Sequence, residues 1–161
     1  MSLLGPGQVL ASRFEIVRSA GNGGMGTVYR ARDRMSGDIV ALKLLRSGSG
    51  SAEEGERFAR EARLLAELHH PRIVSYITDG ETASGQRYLA MEWLDGEDLA
   101  ARLARGPLPL GEALELVNGV AEALSAAHRR GIMHRDLKPT NVTTERNRTS
   151  NDPQRFQVLA N

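Results

Sequence analysis

The chain has 161 residues, 40% of them hydrophobic and 25% charged, with a net charge of +1 and no cysteine. That is room for one domain with a real core, or for a piece of a larger one. The near-neutral balance gives no electrostatic case for nucleic acid or a membrane surface, and the lack of cysteine excludes disulfides and thiolate metal sites.

Met1 to Gln8 lacks the basic start and apolar core of a signal peptide, and no apolar run approaches the about 20 residues that span a bilayer. A cytoplasmic chain is expected. Phe14-Glu15-Ile16-Val17 alternates and leads into Gly21-Asn22-Gly23-Gly24-Met25-Gly26, after which Thr27 to Ala31 regains strand character. Strand, glycine turn, strand describes a hairpin whose backbone can approach a ligand closely. By itself G-x-G-x-x-G is a weak pattern, and its bland meaning is a flexible turn. A dinucleotide-binding turn needs a helix after the glycines, whereas Thr27-Val28-Tyr29 predicts a strand.

A polar turn from Asp33 to Asp38 precedes Ile39-Val40-Ala41-Leu42-Lys43-Leu44-Leu45. In a strand, Lys43 shares a face with Ile39, Ala41 and Leu45. An ammonium there is costly unless paired or snorkelling to water. The bland alternative is an edge-strand lysine guarding against aggregation. Ser47 to Ser51 reads as a linker, and Ser51 with Glu54 makes a capping box. From there Phe58, Ala62, Leu65 and Leu68 mark one helical face that also holds Glu61, a carboxylate in need of a partner.

Ile73 to Ile77 and Arg87 to Trp93 predict two further strands around a loop from Asp79 to Gln86. Leu94-Asp95-Gly96 breaks the pattern, and a short helix from about Asp98 to Ala104 stops at Gly106-Pro107. Leu110, Leu114, Val117, Ala121, Leu124 and His128 step along one face of a long helix closed by Gly131, with His128 expected at the core or its boundary. The chain then reaches His134-Arg135-Asp136-Leu137-Lys138-Pro139-Thr140-Asn141, where the proline rules out a regular helix. Such a loop can bring Asp136, Lys138 and Asn141 to one small volume. An acid for a hydroxyl proton, a cation for a transferring phosphate and an amide oxygen for a metal are what phosphoryl transfer needs.

These eight residues resemble the catalytic loop of protein kinases, H-R-D-L-x-x-x-N, with the Lys two places after the Asp typical of the serine/threonine branch. Val40-Ala41-Leu42-Lys43 resembles the kinase V-A-I-K strand, and Gly-Gly-Met-Gly looks most like bacterial serine/threonine kinases. The resemblance runs from Phe14 to Asn141. It implies an α+β, protein kinase-like fold: a complete N-terminal β-lobe with its αC helix, then the start of an α-helical C-lobe. The expected divisions are a tail at 1–12, the N-lobe and hinge at 13–94, a partial C-lobe at 95–144 and a divergent polar tail at 145–161.

The resemblance also implies ATP and Mg²⁺ as cofactors and a protein Ser or Thr as substrate. The glycine segment Ala20, Gly21, Asn22, Gly23, Gly24, Met25 and Gly26 would cover the phosphates. Lys43, paired with Glu61, would hold the α/β-phosphates. Adenine would lie between Val28 and Ala41, beside the gatekeeper Met91, bonded to backbone at Glu92 and Leu94, with Asp98 toward the ribose. Asp136 would deprotonate the hydroxyl, Lys138 would neutralise the phosphoryl group and Asn141 would bind Mg²⁺.

After Asn141 the resemblance weakens. Thr143 and Thr144 precede a polar stretch from Glu145 to Arg155 suited to a loop. Phe156 to Asn161 is expected to form the next strand, with Ala160 or Asn161 where the aspartate of Asp-Phe-Gly normally falls. The Mg²⁺ site is therefore expected to be incomplete, the domain truncated after the catalytic loop and inactive alone. The apolar face from Leu110 to His128 is expected to take a partner. Two other readings stand beside this one: a pseudokinase-like module that binds nucleotide or a partner without catalysis, and a fragment with no independent function.

Overall fold

The structure, a computed structural model, describes residues 4–23, 26–45, 60, 62–134 and 137–145. The chain divides into two compact units, Met1–Ala66 with Tyr76–Trp93, and Glu67–Ser75 with Leu94–Asn161. The first is a six-stranded antiparallel sheet of β1 (Val9–Leu10), β2 (Phe14–Gly23), β3 (Gly26–Asp33), β4 (Ile39–Leu45), β5 (Tyr76–Glu81) and β6 (Arg87–Glu92), in the order β1-β2-β3-β4-β6-β5.

Alternation sorts this sheet into two faces. Phe14 and Ile16 of β2, Tyr29 and Ala31 of β3, Val40, Leu42 and Leu44 of β4, and Tyr88 and Ala90 of β6 form one apolar core with Leu10. Phe14 and Leu42 are fully buried, and Phe14 meets Tyr88 edge-on at 5.7 Å. Each such side chain contributes about 1.5–3 kcal/mol. The opposite face carries two aligned rows, Val28–Lys43–Leu89 and Arg30–Ala41–Met91. Lys43 thus shares a face with Ala41, as period-two spacing predicts.

The core is closed at one end by Asp33, buried with a charge. Arg13 donates through Nε to Oδ1 at 2.9 Å and through a terminal nitrogen to Oδ2 at 2.6 Å, while the Met35 backbone N–H donates to Oδ1 at 3.0 Å. The Arg13 hydrogen bonds hold the Asp33 carboxyl below its ordinary value of 3.8 against the opposing effect of burial. The β1–β2 turn places both Ala11 (φ 49°) and Ser12 (φ 57°) in the left-handed region, with Arg13 N–H bonded to Leu10 C=O at 3.0 Å. That is the geometry of a type I′ turn, built without the Asn or Gly that adopts it without strain.

One strand expectation shifts. Of Ile73 to Ile77 only Tyr76 and Ile77 join a strand: β5 begins at Tyr76 and continues to Glu81, so the turn is confined to Thr82–Gln86. Ile73 is instead buried in the second unit with Leu68 and Ala123, Ala126 and Ala127 of the long helix. Arg72 also donates to Glu122 of that helix at 3.0 Å. The predicted αC helix is described only at 60 and 62–66, where it is helical; its capping box and Phe58 lie outside the described residues.

In the second unit, β7 (Gly96–Asp98) leads into a short helix, Leu99–Leu103, as predicted, capped by Asp98 Oδ1 accepting from Ala101 N–H at 2.8 Å. The strand β8 (Thr143–Glu145) pairs antiparallel with β7, so strand pairing reaches Glu145, the first residue of the stretch expected to be a polar loop. The residues from 146 to 161, including the expected terminal strand, lie outside the described residues.

The long helix, Leu110–His128, leaves open much of the apolar face expected to take a partner and buries another stripe, with His128 outside the core where it was expected. Leu116, Gly119, Ala123, Ala126 and Ala127 are buried, whereas Leu110, Leu114 and Val117 are 76%, 56% and 63% exposed and His128 is exposed. Small residues allow close approach of Leu68 and Ile73, and smallness leaves little trace in a hydrophobic pattern.

Two stability predictions follow from the first unit. Asp33→Asn should cost about 2–3 kcal/mol at neutral pH, since it leaves a guanidinium facing a neutral amide. Because the folded-state pKa is depressed, this stability is present above the ordinary value of 3.8 and lost as pH falls through the folded value. The gap between wild type and variant in urea denaturation should therefore narrow below about pH 4. Conversely, Ala11→Asn with Ser12→Gly should raise the urea midpoint, with a gain of about 1 kcal/mol.

Candidate functional site

The glycine segment lies at the tip of the β2–β3 hairpin. Gly21 pairs with Val28, Asn22 with Thr27 and Gly23 with Gly26. Thr27 Oγ1 donates to Asn22 Oδ1 at 3.3 Å; Gly24 and Met25 lie outside the described residues. Ala20 and Val17 are the extra residues where the β2–β3 register slips.

The glycines do different work. A Cβ on Gly26, whose φ is 150°, would fall 2.0 Å from the Leu44 carbonyl oxygen, so this residue lets β3 approach β4. A Cβ on Gly21 would meet nothing within 4 Å. Gly21 leaves open space, as a hairpin covering a ligand requires, while Gly26 closes the hairpin onto the sheet.

Lys43 is half-buried on the face turned away from the core, in register with Val28 and Leu89. Its expected partner Glu61 lies outside the described residues. Ala41 and Met91 are buried beside it in neighbouring register, and Glu92 ends β6. Val28, Ala41, Lys43 and Met91 therefore share one face of a single sheet.

The remaining candidates belong to the second unit. Leu94 is buried. Asp98 uses one carboxylate oxygen as a helix cap and pairs in strand register with Thr143. His134 is buried, Arg135 and Asp136 lie outside the described residues, and Lys138 is exposed in extended conformation. A single 3-10 turn, Pro139–Asn141, follows, in which Asn141 N–H donates to Lys138 C=O at 2.9 Å. Val142 then anchors this turn by burial with Leu99 and Leu116 and by accepting from Leu99 N–H at 2.8 Å. Among the described residues no group of three or more His, Cys, Asp or Glu side chains could hold a metal ion, and no helix is long and apolar enough to cross a membrane.

Sequence reasoning passed over Arg18 and Arg30, whose guanidinium carbons lie 5.4 Å and 5.5 Å from the Trp93 ring centroid. Arg30, two residues after Val28, was legible as sharing its face. Arg18 was not, because the bulge at Val17 changes the face it occupies.

An antiparallel sheet with a glycine hairpin beside the strand that carries Lys43, followed in the chain by a helical unit holding a Lys-Pro-x-Asn turn, defines a protein kinase-like fold. The chain belongs to the protein kinase domain family, which it matches over residues 14–151. It is 45% identical over 135 residues to the serine/threonine-protein kinase pkn2 of Myxococcus xanthus, a match covering 83% of this chain and 16% of the relative. It is 42% identical over 139 residues to the probable serine/threonine-protein kinase PknB of Lactococcus lactis, covering 84% of this chain and 22% of that protein. The crystal structure of the Mycobacterium tuberculosis PknI kinase domain superposes with a TM-score of 0.79 at 37% identity, covering 96% of this chain and 61% of that one. The chain thus spans less than a quarter of these two curated relatives and about three fifths of that kinase domain.

The unequal roles of the glycines predict unequal mutants. Gly26→Ala should lower stability by about 2–3 kcal/mol in denaturant titration, since backbone must shift to admit the methyl. Gly21→Ala should stay within about 0.5 kcal/mol of wild type.

Proposed function

We propose that this chain is the nucleotide-binding and catalytic-loop part of a serine/threonine protein kinase that transfers the γ-phosphoryl group of ATP to a protein hydroxyl. The observation that carries the reading is Lys43, an ammonium on the face that avoids the core, between Val28 and Leu89 and beside Ala41. A strand lysine so placed serves as a fixed cation for phosphate, with Val28 and Ala41 offering apolar contact to a purine. The open space at Gly21 suits a phosphate-covering hairpin.

The roles then follow those the motifs imply. Glu61 would pair with Lys43, and the backbone of Glu92 and Leu94 would bond adenine, with Asp98 near the ribose. Asp136 would orient and deprotonate the acceptor hydroxyl, and Lys138 would neutralise the phosphoryl group. Asn141 would offer an amide oxygen to Mg²⁺, which when bound stabilises charge on the transferring group. Taken as these 161 residues alone, the reading is narrower: nucleotide binding with little turnover, because they contain no Asp-Phe-Gly aspartate to complete the metal site.

The first test is a thermal melt with increasing ATP, with and without Mg²⁺. A ligand specific for the native state at 100 times its Kd stabilises by about 2.7 kcal/mol. The midpoint should rise with ATP, and Lys43→Ala should reduce the rise at each ATP concentration. A sharp melt that saturating ATP leaves unmoved would overturn the nucleotide reading. Magnesium-dependent phosphotransfer by the 161 residues, lost in Asp136→Ala, would overturn the narrower one.

A further inference from the structure

Trp93 follows directly on the last residue of β6, and two arginines converge on it from the hairpin strands. Both guanidiniums lie within the range at which a cation is attracted to an indole face. Their placement is otherwise unfavourable. Arg18 and Arg30 stand directly opposite each other across β2 and β3, where like charges repel. Among the described residues neither has a carboxylate partner.

The backbone is shaped to create this meeting. Unbroken alternation from Phe14 and Ile16, both in the core, would carry Arg18 to the core face. The bulge at Val17 moves it to the opposite face, across from Arg30 and in the same row as Ala41 and Met91. Re-aiming a side chain is a characteristic effect of a bulge.

We propose that Trp93 is a positioning residue of the nucleotide site, gripped by Arg18 and Arg30 so that the backbone after β6 is tied to the two strands carrying the glycine hairpin. The inference rests on the nucleotide reading and adds how its two parts keep their spacing. The edge that would recognise the base leaves β6 at Glu92, and the hairpin that would cover the phosphates is built from β2 and β3. Strand β4 alone separates that hairpin from β6 in the sheet. A clamp reaching from β2 and β3 to Trp93 bridges that interval on the ligand-facing side.

Trp93 is the sole tryptophan, so its emission reports this ring alone. The experiment compares emission, melting midpoint and calorimetric affinity for ATP and for adenosine in wild type, R18Q/R30Q, R18K/R30K and Lys43→Ala. R18Q/R30Q should shift the emission to the red and weaken ATP and adenosine alike, by roughly tenfold. R18K/R30K, which keeps both cations, should restore most of the affinity. Lys43→Ala should weaken ATP while sparing adenosine, which has no phosphate. If R18Q/R30Q fails to melt cooperatively, R30Q alone is read in the same way, with roughly threefold weakening expected. Unchanged adenosine affinity in a folded glutamine variant would overturn the positioning role, including the case where ATP alone weakens through lost charge. Wild type binding neither ligand would overturn the nucleotide reading itself, and the positioning role with it.

Discussion

A strand that sends Val40, Leu42 and Leu44 into one apolar core must send Ala41 and Lys43 the other way, and the first unit depends on that constraint. The period of two is geometric, so it holds wherever the register is unbroken. Burial of Leu42 and its neighbours then fixes more than stability. It fixes which face the ammonium occupies, because a slip of one residue would drive Lys43 into the core at a cost no ion pair readily offsets. Strands β3 and β6 lock in on either side through Val28–Lys43–Leu89. The place of the Lys43 ammonium is thus set by the packing of residues on the opposite face of the sheet.

The same logic explains why the core is sealed so firmly at its far end. Asp33 is the last residue of β3, and β3 carries both Gly26 and Val28. If that end of the strand frayed, the register that aligns Val28 with Lys43 would loosen with it. The paired hydrogen bonds from Arg13 hold the carboxylate in place, and the Met35 amide ties the following turn to the same oxygen. A buried pair of this kind is weak evidence for net stability but a good device for fixing geometry, since misregister would leave a buried charge unpaired. Gly26 performs the matching task at the hairpin end, where the Leu44 carbonyl comes too close for any side chain.

What was legible in the residues was local and periodic. The hairpin announced itself by glycine punctuation between alternating runs, Lys43 by its place in a strand, and the short helix by Asp98 before Leu99. What escaped depended on packing between distant segments. Ile73 and Val74 look like a strand because they are β-branched and apolar, yet Ile73 is claimed by the long helix. In that helix Leu110, Leu114 and Val117 mark the exposed side, and apart from Leu116 the buried side is written in Gly119, Ala123, Ala126 and Ala127. Of the candidate site, Lys43, Val28, Ala41 and Met91 come together on one sheet face. Asp98 and Asn141 belong to the other unit.

Arg18 and Arg30 illustrate a limit of reading strands by alternation alone. A sequence pattern assumes an unbroken pleat, and a single extra residue inverts the prediction for every position beyond it until a second bulge intervenes. On β2 both bulges fall within five residues, at Val17 and Ala20, so Arg18 occupies a short segment whose facing no periodicity could supply. The repulsion between two opposed cations there calls for a compensating attraction on the same side of the sheet. Screening by water lowers the repulsion between exposed guanidiniums but gives no reason for them to converge. An indole within 5.5 Å of both does, since its electron-rich face attracts each cation and its ring gives the arginine stems apolar surface to cover. The pair is therefore better understood through Trp93 than as two independent surface charges.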